Sequence, residues 1–173
     1  MRTWRQANGV SSKSTETKYV MTPTPANPLL HVTVAAIIEQ DGRFLLVEEI
    51  DNAKAVYNQP AGHVEADESL IEAVIRETLE EAACDFQPEW LTGIYRWQHP
   101  VTDAIYLRHC FSGELIKHDP QRPLDKIILR THWLSLEELQ HQKNKLRSPL
   151  VLACIEDYLA GQRFPLTLYR ELD

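Results

Sequence analysis

Residues 62–84 read GHVEADESLIEAVIRETLEEAAC, and the way this stretch folds organises the rest of the chain. From Ser69 to Ala83 it holds neither Gly nor Pro, and Ala, Leu and Glu dominate. Apolar side chains recur at Ile71, Val74, Ile75 and Ala82, with Thr78 in the same series. That i, i+3, i+4 spacing predicts an amphipathic helix packed on a core. Asp67 is the expected N-cap, and Asp67 and Glu68 set negative charge at the positive end of the helix dipole. At the far end stands Ala83, for which a left-handed conformation is costly, so the helix is expected to run on toward Cys84 and end near Asp85.

Glu77, Glu80 and Glu81 are related by i+3 and i+4, so their carboxylates share one face beside the apolar stripe. Like charges at this spacing repel, and a site that keeps three together calls for something positive. A hard divalent cation suits them: Mg²⁺ takes oxygen ligands and is held by few carboxylates plus substrate phosphates. The plainer reading is a solvated acidic helix face. Arg76 has two readings, an i, i+4 ion pair with Glu72 or a planar fork that binds a carboxylate bidentately. Upstream, Pro60 biases Gln59 to extended backbone and Gly62 permits close approach, so residues 57–64 read as a strand-to-loop-to-helix passage. His63 reads as a hydrogen-bonding neighbour of the site.

The spacing decides between these readings, because Gly62, Glu68, Arg76, Glu77, Glu80 and Glu81 fall in the register of the Nudix box. This box runs glycine, five residues, glutamate, seven residues, Arg-Glu, an apolar residue, any residue, Glu-Glu, any residue, glycine, apolar residue. Thr78 and Ala83 depart from it, and neither departure removes a charge. The chain resembles the Nudix hydrolases over roughly His31 to Leu166. HVTVA, NQPAGH, LRSPLV at Leu146–Val151 and GQRFPL at Gly161–Leu166 are especially similar to the NudJ-type phosphatases of bacteria. The resemblance implies an α/β fold, a Nudix-type α/β/α sandwich around a mixed β-sheet. It implies that Glu77, Glu80, Glu81 and the carbonyl of Gly62 hold Mg²⁺, with Mn²⁺ able to substitute, and that Arg76 orients the glutamates with Glu68 as its partner. For the activity it implies Mg²⁺-dependent hydrolysis of nucleoside tri- and diphosphates and of pyrimidine pyrophosphates of thiamine synthesis.

Working outward, His31–Gln40 and Phe44–Ile50 are apolar, β-branched runs joined by Asp41-Gly42-Arg43, a hairpin signature. Trp90–Gln98, Ala104–Leu115 and Ile127–Leu134 read as further strands, and Ser135–His141 and Pro149–Ala160 as helices with Gly161 as a stop. Strands on both sides of a central helix fit a layered α/β domain over residues 29–173. Residues 1–28 are rich in Ser, Thr, Pro and Asn. There Arg2, Arg5, Lys13 and Lys18 outnumber Glu16, so the segment reads as a flexible tail. It shares basic and hydroxyl residues with transit peptides and lacks the apolar run of a secretory signal. Met1 and Met21 are both candidate starts.

The length of 173 residues suits one such domain, and the net charge of −7 argues against nucleic acid as a partner. No apolar run is long enough to span a membrane. Cys84, Cys110 and Cys154 are odd in number and lack metal-binding spacing, which fits free thiols in the cytoplasm. The expected partner is a small nucleotide or pyrophosphate, met by a monomer or homodimer.

Divalent cations would offset the charge of a diphosphate and position the attacking water. Glu80 and Glu81 are the nearest general bases; a remote carboxylate, Glu114 ahead of Asp119 and Asp125, is the alternative. For the organic group, Tyr57, Trp97, Tyr95 and Tyr106 offer stacking surfaces, with Tyr57 and Trp97 foremost. Arg43 and Arg108 are the candidate phosphate-binding cations. Two other readings remain at this level. One is a Nudix hydrolase of another substrate, such as an oxidised nucleotide or an ADP-sugar, and the other is a catalytically impaired Nudix-fold ligand sensor.

Overall fold

A computed structural model describes residues 28–172. The expected tail lies outside the described residues except for Pro28, as does the possible start at Met21.

The chain alternates faces residue by residue, and that alternation builds three layers. In β1 (Leu30–Ile37), Val34 and Ala36 pack into one buried cluster while Ala35 and Ile37 pack into another. In β3 (Arg43–Asp51), Leu45 and Val47 join the first cluster and Phe44 and Leu46 the second. Strands buried on both faces need apolar residues at successive positions, which is how both runs read. Helix α1 (Leu70–Ala82) closes the first cluster through Leu70, Ala73, Val74 and Ala82. Helices α2 (Leu136–His141) and α3 (Leu150–Leu159) close the second through Leu139, Val151, Cys154 and Ile155. The architecture is the expected α/β/α sandwich.

The middle layer is divided between two hydrogen-bonded sheets. The remaining strands are β2 (Glu39–Gln40), β4 (Lys54–Asn58), β5 (Ala61–His63), β6 (Cys84–Gln98), β7 (Ile105–His118), β8 (Ile128–Ser135) and β9 (Phe164–Pro165). One sheet runs β5-β1-β7-β6-β9, with β1 parallel to β7 and its other neighbours antiparallel, so it is mixed. The other places β2 and β4 on β3, with β8 also paired to β3. The hairpin turn falls at Asp41 and Gly42, both at positive φ.

Several boundaries differ from the expectation. The passage over residues 57–64 leaves a strand as expected, the end of β4, but its loop is interrupted by β5, three residues paired antiparallel to β1. Strand β6 starts at Cys84 rather than Trp90, because pairing with β7 begins at Cys84 opposite His118. The N-cap of α1 is Ser69, not Asp67. Its hydroxyl accepts the Glu72 N–H while the Glu72 carboxylate accepts the Ser69 N–H, a reciprocal capping box. The C-terminus of α1 is also corrected. The helix stops at Ala82, and Ala83 itself takes the left-handed conformation (φ 53°, ψ 34°), sending the chain directly into β6. The buried pairing of β6 outweighs the local cost of a left-handed alanine, about 1 kcal/mol.

Candidate active site

The box loop and α1 meet where β5 is held on the edge of β1. Gly62 pairs with Val34, and beside it the Ala61 N–H donates to Glu81 Oε2 at 2.8 Å. The Glu77 carboxylate lies over the Gly62 backbone, in the space that a side chain at that position would fill. Glu81 and Glu77 sit on the buried side of α1, and Glu80 is half-exposed. Burial pushes the Glu81 carboxyl up to about 9, with the charges of Glu77, Glu49 and Asp125 adding to it. Burial raises Glu77 as well, against the pull of Arg76.

Arg76 ties these groups together. Its Nε donates to Glu68 Oε2 at 2.9 Å and one terminal nitrogen to Glu68 Oε1 at 2.6 Å, a bidentate pair. That same nitrogen also donates to the His63 carbonyl at 3.0 Å, and the other reaches Glu77 at 2.8 Å and Glu80 at 3.2 Å. The pair with Glu72 read from spacing does not form, because the Glu72 carboxylate is engaged by Ser69. Thr78, where the box has an apolar residue, is fully buried and donates its hydroxyl to the Val74 carbonyl at 2.6 Å, which satisfies it within the helix.

The donor set fits a hard cation: carboxylate oxygens and a backbone carbonyl, with no thiol or imidazole among the grouped carboxylates. Among the described residues no three ligating side chains form a ready-made cage. The physical reason is visible in the contacts, since Arg76 holds Glu77 and Glu80 and the Ala61 N–H holds Glu81, which offsets mutual repulsion in the metal-free chain.

A cavity of about 170 Å³ opens nearby, lined by Asp51, Trp97, Tyr106, Arg108, Arg147 and Leu150 among others. Arg108 is buried, and its two terminal nitrogens donate to Gln59 Oε1 (3.1 Å) and Asn58 Oδ1 (3.3 Å), both neutral. Its Nε has no partner among the described residues. A row of rings leads from this cavity to the box loop. Trp97 lies 5.6 Å from Tyr106, Tyr106 stacks on His31 at 4.8 Å, and His31 Nδ1 is 2.8 Å from His63 Nε2.

Several of the residues singled out by sequence lie elsewhere, among them Tyr95, which packs on the second core cluster and donates its hydroxyl to Asp157 at 2.9 Å. Arg43 is at the opposite end of β3 from Glu49, bonded to Glu138 at 2.9 Å and to the Trp133 carbonyl. Glu114 is exposed on β7 opposite Gln87, beyond the part of β7 that pairs with β1. Tyr57 turns its edge to His132 at 5.2 Å and is not part of the cavity wall. A long side chain on a strand end can point to either face, and spacing alone does not say which. Sequence reasoning missed Glu49, Asp51 and Arg147. Arg147 Nη1 is 3.2 Å from Glu49 and 3.5 Å from Asp51, joining the cavity to the carboxylates. The available signal was a pair of glutamates, Glu48 and Glu49, directly after the apolar run Phe44–Val47.

The family profile for the Nudix domain matches residues 29–153, a span that includes the grouped carboxylates. The chain belongs to the Nudix hydrolase family and is an enzyme of the phosphatase and pyrophosphatase class. Phosphatase NudJ of Escherichia coli K12 is 45% identical over 138 residues, covering 80% of this chain and 89% of that protein. A Nudix hydrolase of Nitrosomonas europaea is 48% identical, with a TM-score of 0.81 over 84% of this chain and 98% of its own. An ADP-ribose pyrophosphatase of Streptococcus suis is 19% identical, with a TM-score of 0.59 over 78% of this chain and 95% of its own; that likeness is one of fold.

Proposed function

We propose that this chain hydrolyses phosphoanhydride bonds of nucleoside tri- and diphosphates or of small organic pyrophosphates, including the pyrimidine pyrophosphate of thiamine synthesis, with Mg²⁺ as cofactor and Mn²⁺ as a substitute. The observation that carries the reading is the aromatic cavity with two arginines, one of which, Arg147, pairs with Glu49, whose charge acts on the box carboxylate Glu81. A planar ring would stack on Trp97 for about 1–3 kcal/mol. Arg108 is buried and hydrogen-bonded to neutral amides, with Glu49 acting on it only at longer range, so it is a cation that an anionic phosphate would complete.

Glu77, Glu80, Glu81 and the Gly62 carbonyl would hold the metal, which when bound neutralises phosphate oxygens and lowers the pKa of a water. Glu68 fixes Arg76, and Arg76 holds Glu77 and Glu80 in place while clamping the His63 carbonyl of the box loop. Glu80 is the box carboxylate open to solvent, which supports it as the proton acceptor, with buried Glu81 the other candidate. The proposed catalytic unit is residues 29–173, a monomer or homodimer acting on a small substrate rather than on nucleic acid or a membrane. No helix among the described residues is long and apolar enough to cross a membrane, and the three cysteines are free, which supports a cytoplasmic setting.

The test is phosphate release from a panel of nucleotides, thiamine-pathway pyrophosphates, oxidised nucleotides and ADP-sugars, with and without Mg²⁺. Turnover of the first two groups only with Mg²⁺ supports the reading. Preference for ADP-sugars or oxidised nucleotides would replace the substrate, and metal-independent turnover would remove the proposed role of the carboxylates.

A further inference from the structure

Glu49 is a carboxylate that the box does not supply and that its contacts with Arg147 and the Asn58 amide explain only in part. It lies on β3, is only 4% exposed, and directs Oε2 to Arg147 at 3.2 Å. Its Oε1 is buried and has no hydrogen-bond partner among the described residues. A buried carboxylate oxygen without a donor is costly and uncommon, and an ion pair with Arg147 accounts for one oxygen only. The alternation of β3 puts Glu49 on the side of Leu45 and Val47, the side facing α1, and its charge is among those that raise the Glu81 carboxyl. The local cations are already divided. Arg76 is shared by Glu68, Glu77 and Glu80, and Arg147 by Glu49 and Asp51. Arg108 acts on Glu49 only at longer range, its terminal nitrogens being bonded to Gln59 and Asn58, so among the described residues neither Glu81 nor the second oxygen of Glu49 makes an ion pair of its own.

We infer that Glu49 Oε1 is a further ligand of the divalent cation site, contributed by β3 from outside the Nudix box. This rests on the proposed metal role of the box carboxylates. Through Oε2 and Arg147 the same side chain connects that site to the cavity wall, so metal and organic group would be held by one side chain and its arginine partner.

The experiment titrates the metal-free full chain with Mn²⁺, following free Mn²⁺ by electron paramagnetic resonance and the metal-induced rise in Tm. Glu49→Gln keeps the shape and removes the charge. It should weaken Mn²⁺ binding by about tenfold or more and shrink the rise in Tm. Glu49→Asp keeps the charge but withdraws the oxygens, and is expected to weaken binding as well. Arg147→Met removes the partner of Oε2 but no proposed ligand, and should cost less Mn²⁺ affinity than Glu49→Gln. Equal losses in Arg147→Met and Glu49→Gln would overturn the inference, because the effect would then come from the ion pair. Weakened binding in Glu81→Gln with none in Glu49→Gln would also overturn it while leaving the proposed function standing. Absence of Mn²⁺ uptake by the wild-type chain would overturn both.

Discussion

Glu77 carries its carboxylate across the backbone of Gly62, so that a Cβ at position 62 would overlap the carboxylate atoms. The glycine is required by this approach and not by its own backbone angles, which lie outside the left-handed region. Gly62→Ala must therefore displace Glu77 from both the loop and Arg76. The expected result is a fall in kcat/KM of about 10²-fold or more, from misplacement on the order of 1 Å. The variant is to be assayed with Mg²⁺ alongside circular dichroism; a folded protein within fivefold of wild-type activity would count against the site.

Removing charge from α1 should separate activity from stability. Glu80→Gln and Glu81→Gln are each expected to lower kcat by about 10²-fold or more. Glu81→Gln should also raise the Tm of the metal-free chain, since it relieves a buried carboxylate flanked by Glu77, Glu49 and Asp125. Full turnover in both variants would refute their assignment.

The metal-free chain should lose stability as pH rises. Glu81 has a folded value of about 9 against the ordinary 4.5 of a glutamate, so between these values the folded state holds a proton that the unfolded state has released. Stability from this group is complete below about pH 4.5 and declines toward pH 9, with a slope of at most about 1.4 kcal/mol per unit. Glu48 and Glu68 are depressed by their Arg130 and Arg76 partners, so their contribution has the opposite sign and is lost on acidification. The optimum therefore falls in mildly acidic solution, measurable as Tm against pH in EDTA. A flattened alkaline limb in Glu81→Gln is the expected control, and a Tm that climbs from pH 5.5 to 8.5 would contradict the prediction.

Ala83 offers a conformational test away from the chemistry. At φ 53° it adopts a backbone that glycine enters freely, and its methyl is buried. Ala83→Gly is expected to raise stability by up to about 1 kcal/mol, the relieved left-handed strain exceeding the lost methyl contact, with kcat unchanged. Denaturant unfolding measures the first and the Mg²⁺ assay the second. A tenfold gain in kcat would mean instead that the alanine impairs catalysis.

Trp97→Ala should raise KM by about fivefold to a hundredfold while leaving kcat within about threefold, the signature of lost ring stacking. Tyr57→Phe, outside the cavity wall, should change neither. Equal sensitivity of the two would shift the organic group to a different surface.

The sequence by itself determined that an amphipathic helix carries the box, though not where it begins and ends, together with the grouping of Glu77, Glu80 and Glu81 and the layered α/β class, because these follow from short periodicities within one element. The register of Gly62 and Glu68 with Arg76 was also legible as a spaced pattern. Only the tertiary structure decided the rest. Ala83 turned left-handed because β6 had to pair with β7 from Cys84 onward, an interaction that no window around the box contains. Glu49 and Arg147 are far apart in the chain and adjacent in space, while Arg43, read as part of the hairpin turn, opens β3 and Glu114 lies on its expected strand, both bonded or paired away from the carboxylates. Strand periodicity fixes which residues share a face; which strand lies beside which, and so which charge faces the site, is set by long-range pairing and burial.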